Sequence, residues 1–473
     1  MKVFSLLVAC CLMFCSTLLI RASPVDMPAA GQTPHGRAEP NRQVLDCGGE
    51  PCDAVARGFR AFFDRRMEEL GGNGRACADC HMATDNFQLS PASVEARFRL
   101  LQLQRRFDPE ADDPLFRPID ADDFRTNGDS ASDFSNLRQN GLVRITFPLP
   151  PNMRLIDPAT NAASDETFVD VWRSVPTVND VALTGPDGGI AWPRGPNQQG
   201  GYQLDARVTT LQEQALGALT NHAQIQGVPP ARLLDDLSSF QHALFTNHRV
   251  RVLADAVRTG TVALPDPDPP LTPLEQEGKA VFTRACSQCH GGPGQSTPQA
   301  TPHVPPGPVI RFHRVMSQCP RPLDTATPAR FVFAACRPSL ARNARTYEIA
   351  LSVPTASPTG LVPAGTKVRR TSSDPGRALV TGFVGGPAPS DDWEKFDIPG
   401  LRGIGKTAPY FHNNSAATLE EVIDHYIEFF KLVQANAPPG GPVPPLATTD
   451  GVHFDRRPTP EERAALIAYL RKL

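Results

Sequence analysis

Apolar residues fall at helical spacing in several separate stretches of this chain, and the intervals between them are polar and rich in proline. Gly58-Phe59-Arg60-Ala61-Phe62 and Gly278-Lys279-Ala280-Val281-Phe282 share a Gly-x-x-x-Phe pattern, which sets glycine and phenylalanine one turn apart on the same helical face. Such a glycine lets a second helix cross closely, with the phenylalanine packed beside the crossing. Thr459-Pro460-Glu461-Glu462 combines an N-cap threonine, a proline at the first helical position and a glutamate three residues after the cap. It predicts a helix running through Leu466 and Tyr469 to the terminus. Thr272-Pro273-Leu274-Glu275 repeats this logic just ahead of Gly278. Leu419, Val422, Ile423, Tyr426, Ile427 and Phe430 form one apolar stripe of a further helix.

The longest apolar run, Val3 to Ile20, follows Met1-Lys2 and precedes Arg21-Ala22-Ser23-Pro24. It reads as a secretory signal over residues 1–23, and a flexible segment over 24–45 follows. The same run is nearly long enough to serve as an uncleaved membrane anchor. The proline run from Leu264 to Pro270 cannot continue a helix and makes a stiff connector. It divides the remainder into domains at 46–262 and 263–473. Gly291 to Pro363 has no clean periodicity and reads as a long loop excursion, and 434–458 as a surface loop. With 49 prolines and only 7% aromatic residues, the chain is expected to be mainly α with long proline-rich loops. Its net charge of -3 offers no basic footprint for nucleic acid.

Chemistry enters with two Cys-x-x-Cys-His motifs, Cys77-Ala78-Asp79-Cys80-His81 and Cys286-Ser287-Gln288-Cys289-His290. Each matches a c-type haem attachment site, where two thiols bind the porphyrin and the adjacent histidine ligates iron. A closed zinc site built from both Cys pairs would leave both histidines unexplained. Two covalent haems are therefore expected, with His81 and His290 as proximal ligands. Outside the signal and the haem motifs stand Cys47, Cys52, Cys319 and Cys336. An even remainder in an oxidising compartment suggests two disulfides, for which local pairing, Cys47–Cys52 and Cys319–Cys336, is the expectation. The glycine-phenylalanine pattern before each motif, with the aromatic Tyr469 of the last helix, resembles the helix crossing of class I cytochromes c.

The stretch from Leu401 through Pro409-Tyr410-Phe411-His412-Asn413-Asn414-Ser415 to Val422 resembles the C-terminal signature of the bacterial dihaem cytochrome c peroxidase and MauG superfamily. Arg173-Ser174-Val175-Pro176-Thr177-Val178-Asn179 and Asp205-Ala206-Arg207 with Leu211-Gln212-Glu213-Gln214-Ala215 look like further pieces of it. The resemblance implies two mainly α-helical cytochrome c-like domains. The N-terminal haem would react with peroxide and the C-terminal haem would receive electrons. Arg402 and His412 are then expected to contact haem. The family's distal residue on the second haem falls on Tyr426, with Met316 as the alternative. Its catalytic glutamine falls on Gln214, but its glutamate position holds Gln224, which cannot shuttle a proton. His222, two residues before, could substitute, although a surface or packing role is the plainer reading. Leu204 stands where the family carries an interhaem tryptophan, with Trp172 and Trp192 elsewhere. Asn179, Thr407 and Pro409 match a calcium site between the domains.

No histidine lies between His81 and His222, so the first haem is expected to be open to peroxide. Three functions follow. The first is a periplasmic peroxidase reducing H2O2 with electrons from a small cytochrome c or cupredoxin. The second is a MauG-like oxidase of a protein or organic substrate. The third is a dihaem electron-transfer protein without catalysis. No membrane span is expected after signal cleavage, and the arrangement leaves room for a homodimer.

Overall fold

Two helix crossings of the same design organise the protein. The computed structural model describes residues 47–66, 70–117, 120, 134–185, 201–287, 290–296, 312–314, 340, 342–357, 360–386, 391–435 and 459–473. Within it the helices are α1 (Cys52–Phe63), α2 (Cys77–Cys80), α3 (Pro91–Gln104), α4 (Ser135–Asn140), α5 (Val181–Thr184), α6 (Leu211–Asn221), α7 (Ala231–His242), α8 (His248–Arg258), α9 (Pro273–Ala285), α10 (Ala378–Thr381), α11 (Leu419–Ala435) and α12 (Pro460–Lys472).

In the first crossing α1 lies on α7. A Cβ at Gly58 would stand 2.6 Å from the Asp236 carbonyl carbon and 2.7 Å from Phe240 Cβ, so only glycine admits this approach. Phe62 and Phe240 pack with ring centres 5.1 Å apart. In the second crossing α9 lies on α12. A Cβ at Gly278 would stand 2.5 Å from the Ala465 carbonyl carbon and 2.8 Å from Tyr469 Cβ. Phe282 and Tyr469 are centred 5.6 Å apart. In both, the glycine faces a residue four positions before the aromatic that its phenylalanine meets. Reciprocal capping boxes at Thr272–Glu275 and Thr459–Glu462 start α9 and α12 as the sequence predicts.

Four small antiparallel sheets are present among the described residues. Strand β1 (Leu142–Pro148) pairs with β3 (Phe168–Ser174). Strand β2 (Met153–Leu155) joins β5 (Arg345–Ala350) and β8 (Lys367–Ser372) in a three-stranded sheet of order β2-β5-β8. Shorter pairs are β4 (Phe312–Arg314) with β9 (Lys395–Asp397), and β6 (Thr355–Ser357) with β7 (Gly360–Val362). Within 291–363 the described strands β4, β5, β6 and β7 correct the loop reading, and 297–311 and 315–339 lie outside the described residues. Tyr347 and Ile349 point inward from β5 into a core with Met153, Leu155, Leu351 and Trp393. Their alternation with polar neighbours is the period of a half-buried strand. The chain is thus helical with several small sheets.

The Cys47–Cys52 disulfide forms at the start of α1. Cys319 and Cys336 lie outside the described residues, as do Cys289, Met316, Trp192, the N-terminal apolar run and 436–458. Among the described residues no helix is long and apolar enough to cross a membrane. Residues Asp46–Leu473 form one compact unit.

Candidate functional site

The first motif sits on α2, whose last residue hands the chain to His81. Asp79 Oδ2 accepts from the Ala76 N–H at 2.9 Å and so caps the helix. The Asp79 carboxylate is buried and also receives Arg65 at 2.5 Å and Arg97 at 3.0 Å. This clamp fixes the turn that carries Cys77, Cys80 and His81. The His81 N–H donates to the Cys77 carbonyl at 2.9 Å. Its Nδ1 lies 3.0 Å from the Phe87 carbonyl. A carbonyl only accepts, so Nδ1 bears the hydrogen and Nε2 keeps a free lone pair. Burial holds the His81 pKa below the usual imidazole range, against the Phe87 carbonyl, and the charge of His222 lowers it further. The Cys77 and Cys80 thiols are pushed up to about 12, chiefly by desolvation.

The second motif repeats the arrangement. The Cys286 N–H caps α9 by donating to Phe282, and the His290 N–H donates to the Cys286 carbonyl at 2.8 Å. His290 Nδ1 lies 3.1 Å from the Gln295 carbonyl and 3.2 Å from that of Pro399. Burial lowers its pKa to about 4, opposed by those two carbonyls. Both imidazoles are therefore neutral at pH 7 with Nδ1–H anchored, the form that ligates iron through Nε2. These residues fit a haem at each site.

The Leu401–Ser415 stretch braces the surroundings of both motifs. Asn86 Nδ2 donates to the Lys406 carbonyl and Gln88 Nε2 to that of Ala408, each at 2.9 Å. The Ser174 N–H donates to the His412 carbonyl at 2.6 Å, and Asn414 Nδ2 to that of Asn140 at 2.8 Å. His412 is only 4% exposed, stacks on Phe396 with centres 3.9 Å apart, and among the described residues has no hydrogen-bond partner at either ring nitrogen. Burial lowers its pKa to about 4. An orphaned buried imidazole of this kind fits a residue facing a bound group. Arg402 donates to Asp268 at 2.7 Å and to the Pro293 carbonyl at 3.2 Å. Asp268 in turn accepts from Tyr469 at 2.9 Å and pairs with Lys279 at 2.8 Å, tying Arg402 to the second crossing.

Tyr426 lies on α11 with its ring centre 6.2 Å from Phe411 and 5.5 Å from His425. Asn179 Nδ2 donates to the Asn86 carbonyl at 3.3 Å, and Asn86 reaches Lys406 beside Thr407. Asn179 and the Thr407–Pro409 segment thus share one bridging residue. The Leu204 carbonyl accepts from the Asp397 N–H at 2.9 Å, next to the Phe396–His412 stack. Trp172 is buried with Leu142 and Leu340. Gln214 is half-buried on α6, whereas Gln224 is exposed, with φ 51°, and accepts from Asn73 at 3.1 Å.

Sequence reasoning missed Asp79, Asp120, Arg75 and Phe396. Arg75, two residues before Cys77, and Asp79, inside the motif, were close enough to the cysteines to be noticed. Asp120 and Phe396 carry no local signal.

No protein-family model matches the chain, and no curated protein does. Solved structures do align with it. A MauG-like protein associated with microbial copper homeostasis aligns at 19% identity over 96% of this chain and 95% of that one, with a TM-score of 0.39. The dihaem peroxidase BthA from Burkholderia thailandensis aligns at 17% identity over 90% and 86%, with a TM-score of 0.35. Kuenenia stuttgartiensis hydrazine synthase aligns at 15% over 96% and 99%, also at 0.35. At these TM-scores the backbones diverge too far to carry an assignment, which rests on the residues described above.

Proposed function

We propose that the chain is a periplasmic dihaem c-type oxidoreductase of the peroxidase kind, with haem-carrying domains at 46–262 and 263–473. The observation that carries this reading is the duplicated local design. Each Cys-containing turn follows a glycine-mediated helix crossing. Each presents a neutral histidine whose Nδ1 hydrogen is held by backbone carbonyls. Two covalent haems would supply peroxide-reducing iron at the first site and an electron store at the second.

The protein's own residues supply orientation and dryness. Asp79 with Arg65 and Arg97 holds the first turn rigid, and the Asp268 hub ties Arg402 to the second crossing. The 401–415 stretch keeps the surroundings of the two motifs in register through its bonds to Asn86, Gln88, Asn140 and Ser174. Tyr426 is our candidate for the distal position of the second haem. The Asn179 side chain and the Thr407 and Pro409 carbonyls are our candidates for an all-oxygen calcium site. The electron donor is a small cytochrome c or cupredoxin. Because Gln224 turns to Asn73 and cannot carry a proton, oxidation of a protein or organic substrate, as in MauG, is the second reading.

Low-temperature EPR of the ferric, haem-loaded protein, together with peroxide consumption driven by a reduced cytochrome c, tests this reading. A high-spin signal from one haem with turnover is the expected result. Low-spin signals alone, with no consumption, would leave a plain electron carrier.

A further inference from the structure

Three side chains from separate stretches of the chain meet beside the first motif. His222 Nδ1 lies 2.9 Å from Asp120 Oδ1. A carboxylate only accepts, so Nδ1 carries the hydrogen and Nε2 of the neutral ring offers its lone pair. Asp120 Oδ2 accepts from Arg75 Nη1 at 2.6 Å, and these two side chains are 5% and 2% exposed. The same Nη1 donates to the His222 carbonyl at 3.0 Å, and Asn73 Nδ2 donates to that carbonyl at 2.9 Å. Arg75 also donates to the carbonyls of Pro114 and Arg117, each at 3.0 Å, which keeps its guanidinium from swinging away.

His222 is thus fixed through its ring by Asp120 and through its backbone carbonyl by Asn73 and Arg75, just ahead of Cys77. Its side chain nonetheless remains 32% exposed. Arg75 stands two residues before Cys77 and Asn73 four, so their bonds to the His222 carbonyl hold this residue beside the haem-attachment turn. A histidine that only packs does not need a buried, arginine-paired carboxylate to choose its tautomer. A proton carrier does, because its free nitrogen has to be the right one.

We propose that His222, oriented by Asp120 and Arg75, is the proton-transfer residue of the first haem site, filling the role for which Gln224 is unsuited. This inference rests on the peroxidase reading above. Were a haem held by Cys77, Cys80 and His81 to bind peroxide, His222 Nε2 would take the proton from one oxygen and hand it to the other. That oxygen would leave as water, the haem supplying the electrons for O–O cleavage, and His222 would return to its starting state. A full turnover consumes one peroxide, two protons and two electrons and yields two waters, the electrons coming from the reduced redox-protein donor. Asp120 and Arg75 touch no substrate and act as positioning residues.

The test is stopped-flow binding of hydrogen cyanide and of nitric oxide to the ferric, haem-loaded protein. Hydrogen cyanide must lose its proton as it binds, whereas nitric oxide has none to lose. His222→Ala is expected to slow cyanide association by about 100- to 10,000-fold, the usual worth of a positioned proton carrier, with nitric oxide unchanged. Asp120→Asn is expected to slow cyanide by a smaller factor, again sparing nitric oxide. If the alanine variant fails to retain haem, His222→Gln takes its place. Cyanide association at the wild-type rate in the His222 variant overturns the inference. So does an equal slowing of both ligands, which would show a role in packing or access. A wild-type protein that binds neither ligand overturns the peroxidase reading and this inference together.

Discussion

Replacing Gly278 by alanine probes the second crossing where its tolerance is smallest. The new Cβ would stand 2.5 Å from the Ala465 carbonyl carbon and 2.8 Å from Tyr469 Cβ. Ordinary contact lies near 3.5–4 Å, so α9 and α12 would have to part by about 1 Å. Overpacking of this kind costs about 1–3 kcal/mol. Loosening of the Phe282–Tyr469 pair removes part of a further ~0.5–1.5 kcal/mol. Alanine returns ~0.5–1 kcal/mol of helix preference, so the net loss is about 2 kcal/mol. Gly217 on α6 provides the control, because a Cβ there meets nothing within 4 Å among the described residues. Gly217→Ala should stabilise by ~0.5–1 kcal/mol. Urea midpoints followed by far-ultraviolet circular dichroism should therefore move in opposite directions for the two variants. Gly58→Ala should follow Gly278→Ala, since its Cβ would meet α7 in the same way. If Gly278→Ala is as stable as Gly217→Ala, the crossing is not glycine-mediated and the duplicated design fails.

Arg173 is 1% exposed and bonds Asp374 at 2.6 Å and Asp205 at 2.5 Å. Arg173→Ala would leave buried Asp374 without its arginine and Asp205 with Arg207 alone, and should cost about 3–5 kcal/mol, read as a lower urea midpoint or loss of folded protein. His412 should make stability pH-dependent. Its folded pKa is lowered to about 4, by burial and by Arg173 with Asp374 opposing. The unfolded chain therefore binds the proton first, and stability is lost as pH falls from about 6.5 towards 4. By pH 4.5 that loss is roughly 2–3 kcal/mol, and His412→Phe should flatten this part of the profile of urea midpoint against pH. Removing the Cys47–Cys52 link by a Cys47→Ser/Cys52→Ser pair should cost no more than about 2 kcal/mol, because the closed loop is short. Calorimetry under oxidising conditions checks the size.

The features legible in the sequence were those written locally. The Gly-x-x-x-Phe pairs, the two capping boxes and the Cys47–Cys52 pair each use residues a few positions apart, and each formed as read. The β2-β5-β8 sheet was missed because its strands are short and meet across the chain. Asn152 and Ala350, which bond beside it, are 198 positions apart. The Tyr347–Ile349 alternation was too brief to stand out among the surrounding proline, threonine and arginine. At the site, the ligand-bearing turns were visible in the motifs themselves. The Asp120–His222 pair spans 102 positions and joins residue types common on any surface, so only the fold brings its meaning out. Arg402, which the resemblance marks for haem, also bonds Asp268 and the Pro293 carbonyl, partners more than 100 positions away that the local sequence does not announce.

The central claim is that one chain holds two covalent haems on two equivalent turns. Intact mass spectrometry of protein exported and matured with a c-type haem attachment system tests it most directly. The account predicts a mass increase of two haems per chain. One haem should disappear in a Cys77→Ser/Cys80→Ser variant, and the other in Cys286→Ser/Cys289→Ser. A wild-type chain carrying no covalent haem, or only one, would contradict it.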